Sequence, residues 1–185
     1  MANKRRAEVL FSGIGGGGVL LVGEFVALAA NAVYEHVVWF PNYSAAVRGG
    51  PCYCYVIYSD EEIASPVLSK LQTVVVLDPV QLKACEDRVR PGGLLIVEST
   101  GLPEKIERED ITVIEVPALE NARAMGSARG ANFILLGVYI GSTELLSAEL
   151  IERQLEARFA GSADVLSSNV EAFRHGLKLA ESSKG

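Results

Sequence analysis

Val9 to Gly18 reads VLFSGIGGGG, with glycine at positions 13, 15, 16, 17 and 18. Glycine accepts positive φ and lets the backbone approach other atoms closely. An apolar run, Ala7–Phe11, precedes the loop, and a helix-period stretch, Val19–Asn31, follows it. Strand, glycine turn and helix form the setting in which Gly13-x-Gly15-x-x-Gly18 can cradle a phosphate. The new helix offers unpaired N–H groups and the positive end of its dipole. A dinucleotide-binding fold needs one more part, an acid at the end of the second strand for the ribose. The second strand is predicted at His36–Phe40. It ends in Pro41-Asn42-Tyr43, and Glu35 lies before it. The loop predicts a Rossmann-like start, and the missing acid argues against NAD. The glycines also suit plain close packing of strand on helix, with Gly16 expected where only hydrogen fits. Both readings stay open at this level.

The other reactive side chains are few. Cys52-x-Cys54 on a strand points both thiols to one face, and Cys85 falls on a predicted helix. A structural zinc or iron–sulfur site usually needs four ligands, and this chain has 3 cysteines. They are expected to be reduced and structural. His36 and His175 belong to no triad or dyad order. Arg48, in the loop before Gly49-Gly50, suits either a two-pronged grip on a carboxylate or phosphate or a tie to loop carbonyls. Arg129 and Asn132 share a helix face and face a ligand, a buried network or an interface. Trp39 and Tyr43 flank the end of the second strand.

The elements that must position these residues alternate. Strands are predicted at Ala7–Ser12, His36–Phe40, Cys52–Ser59, Thr73–Leu77, Leu94–Glu98 and Ile111–Val116. A loop is expected over Pro41–Pro51 and a turn at Pro91-Gly92-Gly93. Asp78-Pro79 opens a helix predicted to reach Val89. After Pro117 the chain is helical, over Ala118–Gly126, Gly130–Ile140, Ser147–Phe159 and Asp164–Ala180. Gly130–Ile140 is apolar nearly all round, so it is buried in the domain or against another chain. The pattern implies an α/β fold: a three-layer α/β/α, Rossmann-like arrangement with a predominantly parallel or mixed sheet and a helical C-terminal third.

With 185 residues, one domain over 1–185 is expected. The net charge is −6, and no basic run reaches five residues. Nucleic-acid and anionic-membrane binding therefore lose support. No stretch is long and apolar enough to span a bilayer, and no secretory signal is visible; a cytoplasmic location is expected. Hydrophobic residues reach 49% and mean hydropathy is +0.25. Part of the surface is therefore expected to be covered, by partners or, in isolation, by other copies of the chain.

Asn42–Gly50 reads NYSAAVRGG and is followed by a cysteine-bearing strand and SDEEIASP. The order is a glycine loop, Arg48-Gly49-Gly50, Cys54-x-Val56-x-x-Ser59 and Ile63-x-Ser65-Pro66. It continues through Pro91-Gly92-Gly93, Gly126-x-x-Arg129-x-x-Asn132, Leu136-Gly137 and Asn169-x-x-Ala172-Phe173-x-x-Gly176. Together these resemble the gamma subunit of the 2-oxoacid:ferredoxin oxidoreductases, which act on pyruvate, 2-oxoglutarate, branched-chain oxoacids or indolepyruvate. Two positions depart from that pattern: Gly17 stands where glutamine is common, and Ser44–Val47 replaces a Gly-Pro-Glu segment.

The resemblance implies a subunit with no catalytic residue of its own. It implies alpha and beta partners, a ferredoxin-like delta partner, and ferredoxin reached through the complex. Thiamine diphosphate, magnesium and [4Fe-4S] clusters would sit on other chains. Gly13, Gly15, Gly16, Gly18 and Arg48 are the residues expected to meet coenzyme A phosphate or a subunit interface. The alternative is a free-standing nucleotide- or acyl-CoA-binding module. A large apolar patch at the Gly130–Ile140 helix or the Arg48 loop would favour the subunit.

Overall fold

The computed structural model describes residues 5–43, 49–103 and 105–182. Six strands form one mixed sheet: β1 (Arg6–Ile14), β2 (His36–Tyr43), β3 (Pro51–Ser59), β4 (Leu71–Val76), β5 (Val89–Glu98) and β6 (Thr112–Val116). The order across the sheet is β2-β3-β1-β4-β5-β6. β1, β4, β5 and β6 run parallel, while β3 lies antiparallel between β1 and β2. The helices are α1 (Val19–Ala30), α2 (Leu82–Cys85), α3 (Ala118–Ala124), α4 (Ala131–Thr143), α5 (Ala148–Phe159) and α6 (Ala163–Ser182). This is the α/β fold with a helical C-terminal part that the alternation predicts.

Three local expectations are corrected. The second strand does not stop at Phe40; it runs on through Pro41 to Tyr43 and pairs with β3. Proline is tolerated because β2 is an edge strand. The segment after Asp78 is not one helix to Val89. It is a 3-10 turn at Pro79–Gln81, the four-residue α2, and a second 3-10 turn at Glu86–Arg88. Its buried anchors are Leu82 and Cys85, too few to enforce a regular helix. Asp78 does act as the cap, its carboxylate accepting from Val80 N at 3.0 Å. Finally, Pro91-Gly92-Gly93 is not a turn before a strand but a bulge within β5. The register slips there between Leu71 and Thr73. Gly92 has φ +73, and a Cβ on Gly93 would sit 2.7 Å from the Gln72 carbonyl oxygen.

The two faces of the sheet are covered unequally. One face packs Val9, Phe11, Cys54, Val56 and Tyr58 against α1, α4, α5 and α6. The other packs Leu10, Tyr55, Val74, Val76 and Leu95 under a thin layer of short turns and loops. Two arginines tie that layer down. Arg88 donates to the Tyr55 hydroxyl and the Leu68 carbonyl. Arg108 donates to the carbonyls of Glu86 and Val89 at 2.8 and 2.9 Å.

Helix α4 is buried from Phe133 to Ile140 because it lies between the sheet and α6. Its apolar girth is therefore satisfied inside the chain and supplies no exposed patch. The exposed large apolar residues include Trp39, Phe40 and Tyr43, all on edge strand β2. Where α4 meets α6, backbone touches backbone. A Cβ on Gly137 would lie 2.9 Å from Gly176 Cα and would overlap the Phe173 carbonyl oxygen; one on Gly176 would overlap the Ile134 carbonyl oxygen. Under the sheet, the buried hydroxyls of Tyr58 and Tyr139 bond at 2.8 Å. Burial pushes the Cys54 thiol up to about 12 and holds both tyrosines well above their usual range.

Two outcomes follow for stability. Gly137→Ala and Gly176→Ala should each cost roughly 1–3 kcal/mol or more in urea unfolding, while Gly161→Ala, which meets open space, should change it by no more than about 0.5 kcal/mol. Cys54, Tyr58 and Tyr139 stay protonated in the fold and ionise when unfolded. Stability should be intact below about pH 8.5, where the unfolded thiol is neutral, and should fall as pH rises beyond it. Urea midpoints across that range, with Cys54→Ala showing a shallower decline, test the sign.

Candidate functional site

At the C-terminal ends of β1 and β4 the chain leaves the sheet in two directions. From β1 it passes through the glycine loop into α1 on the helical face; from β4 it passes to Pro79 and α2 on the other face. The two strands are paired to their ends, Leu77 N donating to Ser12 O at 2.7 Å. Diverging connections of this kind open a crevice above the strand ends, the place where open α/β sheets bind ligands. A cavity of about 480 Å³ occupies it. Its walls are Gly16–Gly18 and Leu21, Leu77–Pro79, Glu98 at the end of β5 and Thr100 beyond it, Leu119 of α3, and Arg129, Asn132 and Phe133 at the start of α4.

The glycines do different work. A Cβ on Gly13 would sit 2.9 Å from Val19 and 3.3 Å from Leu77, so Gly13 lets α1 close on the strand ends. Gly15 N donates to the Gly50 carbonyl at 2.9 Å, tying the loop to the start of β3, and Gly17 N donates to Ile14 O at 3.1 Å. Gly18 caps α1 with φ +79, and a Cβ there would fall on the Asn132 carboxamide. Gly16 is a correction: its φ is +92, but nothing lies within 4 Å of a Cβ placed on it. Its constraint is backbone conformation, not lack of room.

Opposite the loop, Glu98 is 3% exposed. Its carboxylate accepts from Thr100 N at 2.6 Å and from Leu119 N at 2.8 Å, a favourable place for negative charge at the start of α3. Glu98 and Asp78 are thus both engaged by backbone N–H groups. Arg129 is exposed on the rim. Two fully buried atoms in this cavity have no hydrogen-bond partner among the described residues: Thr100 Oγ1 and Asn132 Oδ1. Buried polar atoms are rarely left so, and both residues line this cavity.

The structure therefore brings together Gly16, Gly18, Arg129 and Asn132, and places Gly13 and Gly15 just behind them. Arg48 lies outside the described residues, as does Ser44–Val47. Cys52 and Cys54 face the helical core, and Cys85 packs under the opposite face. Among the described residues no group of three or more His, Cys, Asp and Glu could hold a metal ion, and no helix is long and apolar enough to cross a membrane. His36 and His175 do not line the cavity. Glu98 and Thr100 went unforeseen, although one signal marks them: a lone carboxylate closing the apolar run Leu94–Val97, with Ser-Thr-Gly behind it.

Residues 8–179 match the family model described as pyruvate ferredoxin/flavodoxin oxidoreductase. The chain belongs to the pyruvate ferredoxin/flavodoxin oxidoreductase family. Within it, the chain is 33% identical over 175 residues to ketoisovalerate oxidoreductase subunit VorA of Methanothermobacter thermautotrophicus, covering 94% of this chain and 36% of VorA. It thus spans about a third of the length of that curated relative. Two solved structures share the fold. The 2-oxoglutarate:ferredoxin oxidoreductase of Magnetococcus marinus superposes with TM-score 0.88 at 23% identity, over 97% of this chain and 32% of that one. The keto/oxoacid ferredoxin oxidoreductase gamma subunit of Geobacter sulfurreducens superposes with TM-score 0.83 at 24% identity, over 96% of this chain and 98% of that one. The oxidoreductase-family fold thus occurs both within a longer chain and as a near full-length match to a gamma subunit.

The loop geometry separates two substitutions. Gly16→Ala should cost only left-handed backbone strain, on the order of 1–2 kcal/mol. Gly18→Ala adds a collision with Asn132 and should cost distinctly more. Paired urea denaturation curves check the ranking; equal losses would mean that Asn132 does not pack on the loop.

Proposed function

We propose that this chain, as a single gamma-type unit over 1–185, works in a 2-oxoacid:ferredoxin oxidoreductase. That enzyme decarboxylates a 2-oxoacid oxidatively, joins the acyl group to coenzyme A and passes electrons to ferredoxin. The observation that carries this reading is the family match over nearly the whole chain, on a fold whose strand ends form a cavity with two unpartnered polar atoms. The Magnetococcus marinus enzyme has been solved with 2-oxoglutarate, coenzyme A and succinyl-CoA bound, which supports the same chemistry for the assembly around this chain.

The residues present do not fit an iron–sulfur cluster: the three thiols are buried on opposite faces of the sheet. Clusters, thiamine diphosphate and magnesium then belong to alpha, beta and delta partners. The cavity does fit a polar arm of coenzyme A, which supplies the thiol that accepts the acyl group. Asn132 Oδ1 takes an N–H donor, Thr100 Oγ1 gives or takes a hydrogen bond, and the N-terminus of α1 and Arg129 favour an anion at the rim. Gly13, Gly15, Gly16 and Gly18 shape this pocket, and Arg48, outside the described residues, is assigned to the same role from its place in the sequence before Gly49-Gly50. The role of the chain is to bind and orient, with no covalent step of its own. Trp39, Phe40 and Tyr43 on the open edge of β2 are the surface offered to partner subunits, or to other copies of the chain when it is isolated.

The purified chain should turn over neither pyruvate, 2-oxoglutarate nor branched-chain oxoacids with coenzyme A and a viologen acceptor. Co-expressed with its partners it should support turnover. Asn132→Leu should raise the KM for coenzyme A by roughly tenfold, the loss of one or two hydrogen bonds, without blocking assembly. Turnover by the chain alone would defeat the subunit reading; an unchanged KM would defeat only the pocket assignment.

A further inference from the structure

A second cleft, of about 630 Å³, opens at the opposite end of the sheet, where β4, β5 and β6 begin. The last turns of α4 and α6 form its roof. Nothing in the proposed function uses it. Gln72 and Thr143 on its lining are engaged, by Glu8 N and the Tyr139 carbonyl, but three other polar groups are unspent. Thr73 is 6% exposed, lines the cleft, and its side chain has no hydrogen-bond partner among the described residues. Ser142 Oγ, on the α4 side, is fully buried and also unpartnered. At the mouth stands Arg90, exposed and without an ion pair among the described residues. Arg6 is different: its guanidinium is held by Glu8 at 2.8 Å. The floor is apolar, made by Leu94, Ile114 and Leu145.

We infer that this cleft binds a small, singly charged carboxylic acid with an aliphatic tail. One free guanidinium matches one carboxylate in two-pronged geometry. The hydroxyls of Thr73 and Ser142 supply the remaining hydrogen bonds, and the tail lies on the apolar floor, the mix of lining expected of a small-molecule site. Phosphate esters fit worse. Both roofing helices end here, each presenting about half a negative charge, and Glu115 lies on the same wall. Arg90 offsets this repulsion for a single negative charge, and the second charge of a dianion is left without a counterpart. The cleft is also far from the glycine loop, at the other end of α4, so its ligand is separate from anything held at Asn132.

The test is an amide NMR titration of the isotope-labelled 185-residue chain with hexanoate, with hexanol and inorganic phosphate as the other probes. Saturable shifts centred on Thr73, Thr112 and Ser142 are expected with hexanoate, and none with phosphate. Arg90→Gln should weaken hexanoate roughly tenfold, as should replacing hexanoate by hexanol, since each removes the charge-assisted contact. Thr112→Trp, at an exposed position on the mouth, should block binding while leaving the unfolding midpoint unchanged. The inference is overturned if hexanoate produces no saturable shift, if phosphate binds as tightly, if the shifts lie elsewhere, or if Arg90→Gln binds like the wild type. Each readout is independent of oxoacid turnover.

Discussion

The contact between Gly137 and Gly176 sets where α4 can lie. With no side chain on either helix at the crossing, the two backbones close until carbonyl oxygen meets Cα. Gly130 and Gly141 extend the same close approach, facing Ala172 and Ala180. Parallel helices held this tightly act as one slab, and α4 is pressed onto the sheet along its whole buried length. The N-terminus of α4 then has one possible position. It brings Asn132 onto Gly18, closes one wall of the glycine-loop cavity and leaves the Asn132 oxygen buried without a partner among the described residues.

The sheet explains why a dinucleotide fingerprint is incomplete here. In a doubly wound dinucleotide fold the second strand lies parallel beside the first, and its end carries the acid that meets the ribose. In this chain β2 does run parallel to β1, but one strand away. The place beside β1 belongs to β3, which arrives antiparallel and brings Cys52 opposite Gly13 and Pro51 opposite Ile14. The position of the acid is occupied by the start of a hairpin strand, and Gly50 closes the gap by accepting from Gly15 N. The missing acid is therefore a consequence of topology, not the loss of one residue from an otherwise standard site.

Much of this was legible in the residues. The glycine loop between an apolar run and a helical period located β1 and α1. The all-apolar Thr73–Leu77 run located a strand covered on both faces, and the order of motifs pointed to the family. Strand direction was not legible, because period-two alternation is the same for parallel and antiparallel pairing. The continuation of β2 through Pro41 depended on its being an edge strand, which only the full sheet order decides. The apolar girth of α4 was visible, but whether it was covered by this chain or another turned on its crossing with α6. In the cavity, Gly18 belongs to the glycine loop and Asn132 to the helix face it shares with Arg129, two separate patterns in the sequence. Their meeting is a contact across 114 positions, and no local pattern encodes it. Glu98 was missed because its partners are backbone N–H groups, which leave no trace in side-chain spacing.

Gly16 and the Gly137–Gly176 crossing give the cavity two mechanically different sides. The α4 wall is backed by backbone packed on backbone, so displacing it means separating a slab. The α3 side is latched, since moving Leu119 away strips a buried carboxylate of one of its two donors. The loop wall has free space around Gly16 and no side chain to reposition. Compared with the α4 and α3 sides, that side would accommodate a guest larger than the resting cavity more easily. The glycine loop is the compliant lip of an otherwise stiff socket, and adaptation to a ligand or a neighbouring chain would be written in its backbone angles rather than in helix movement.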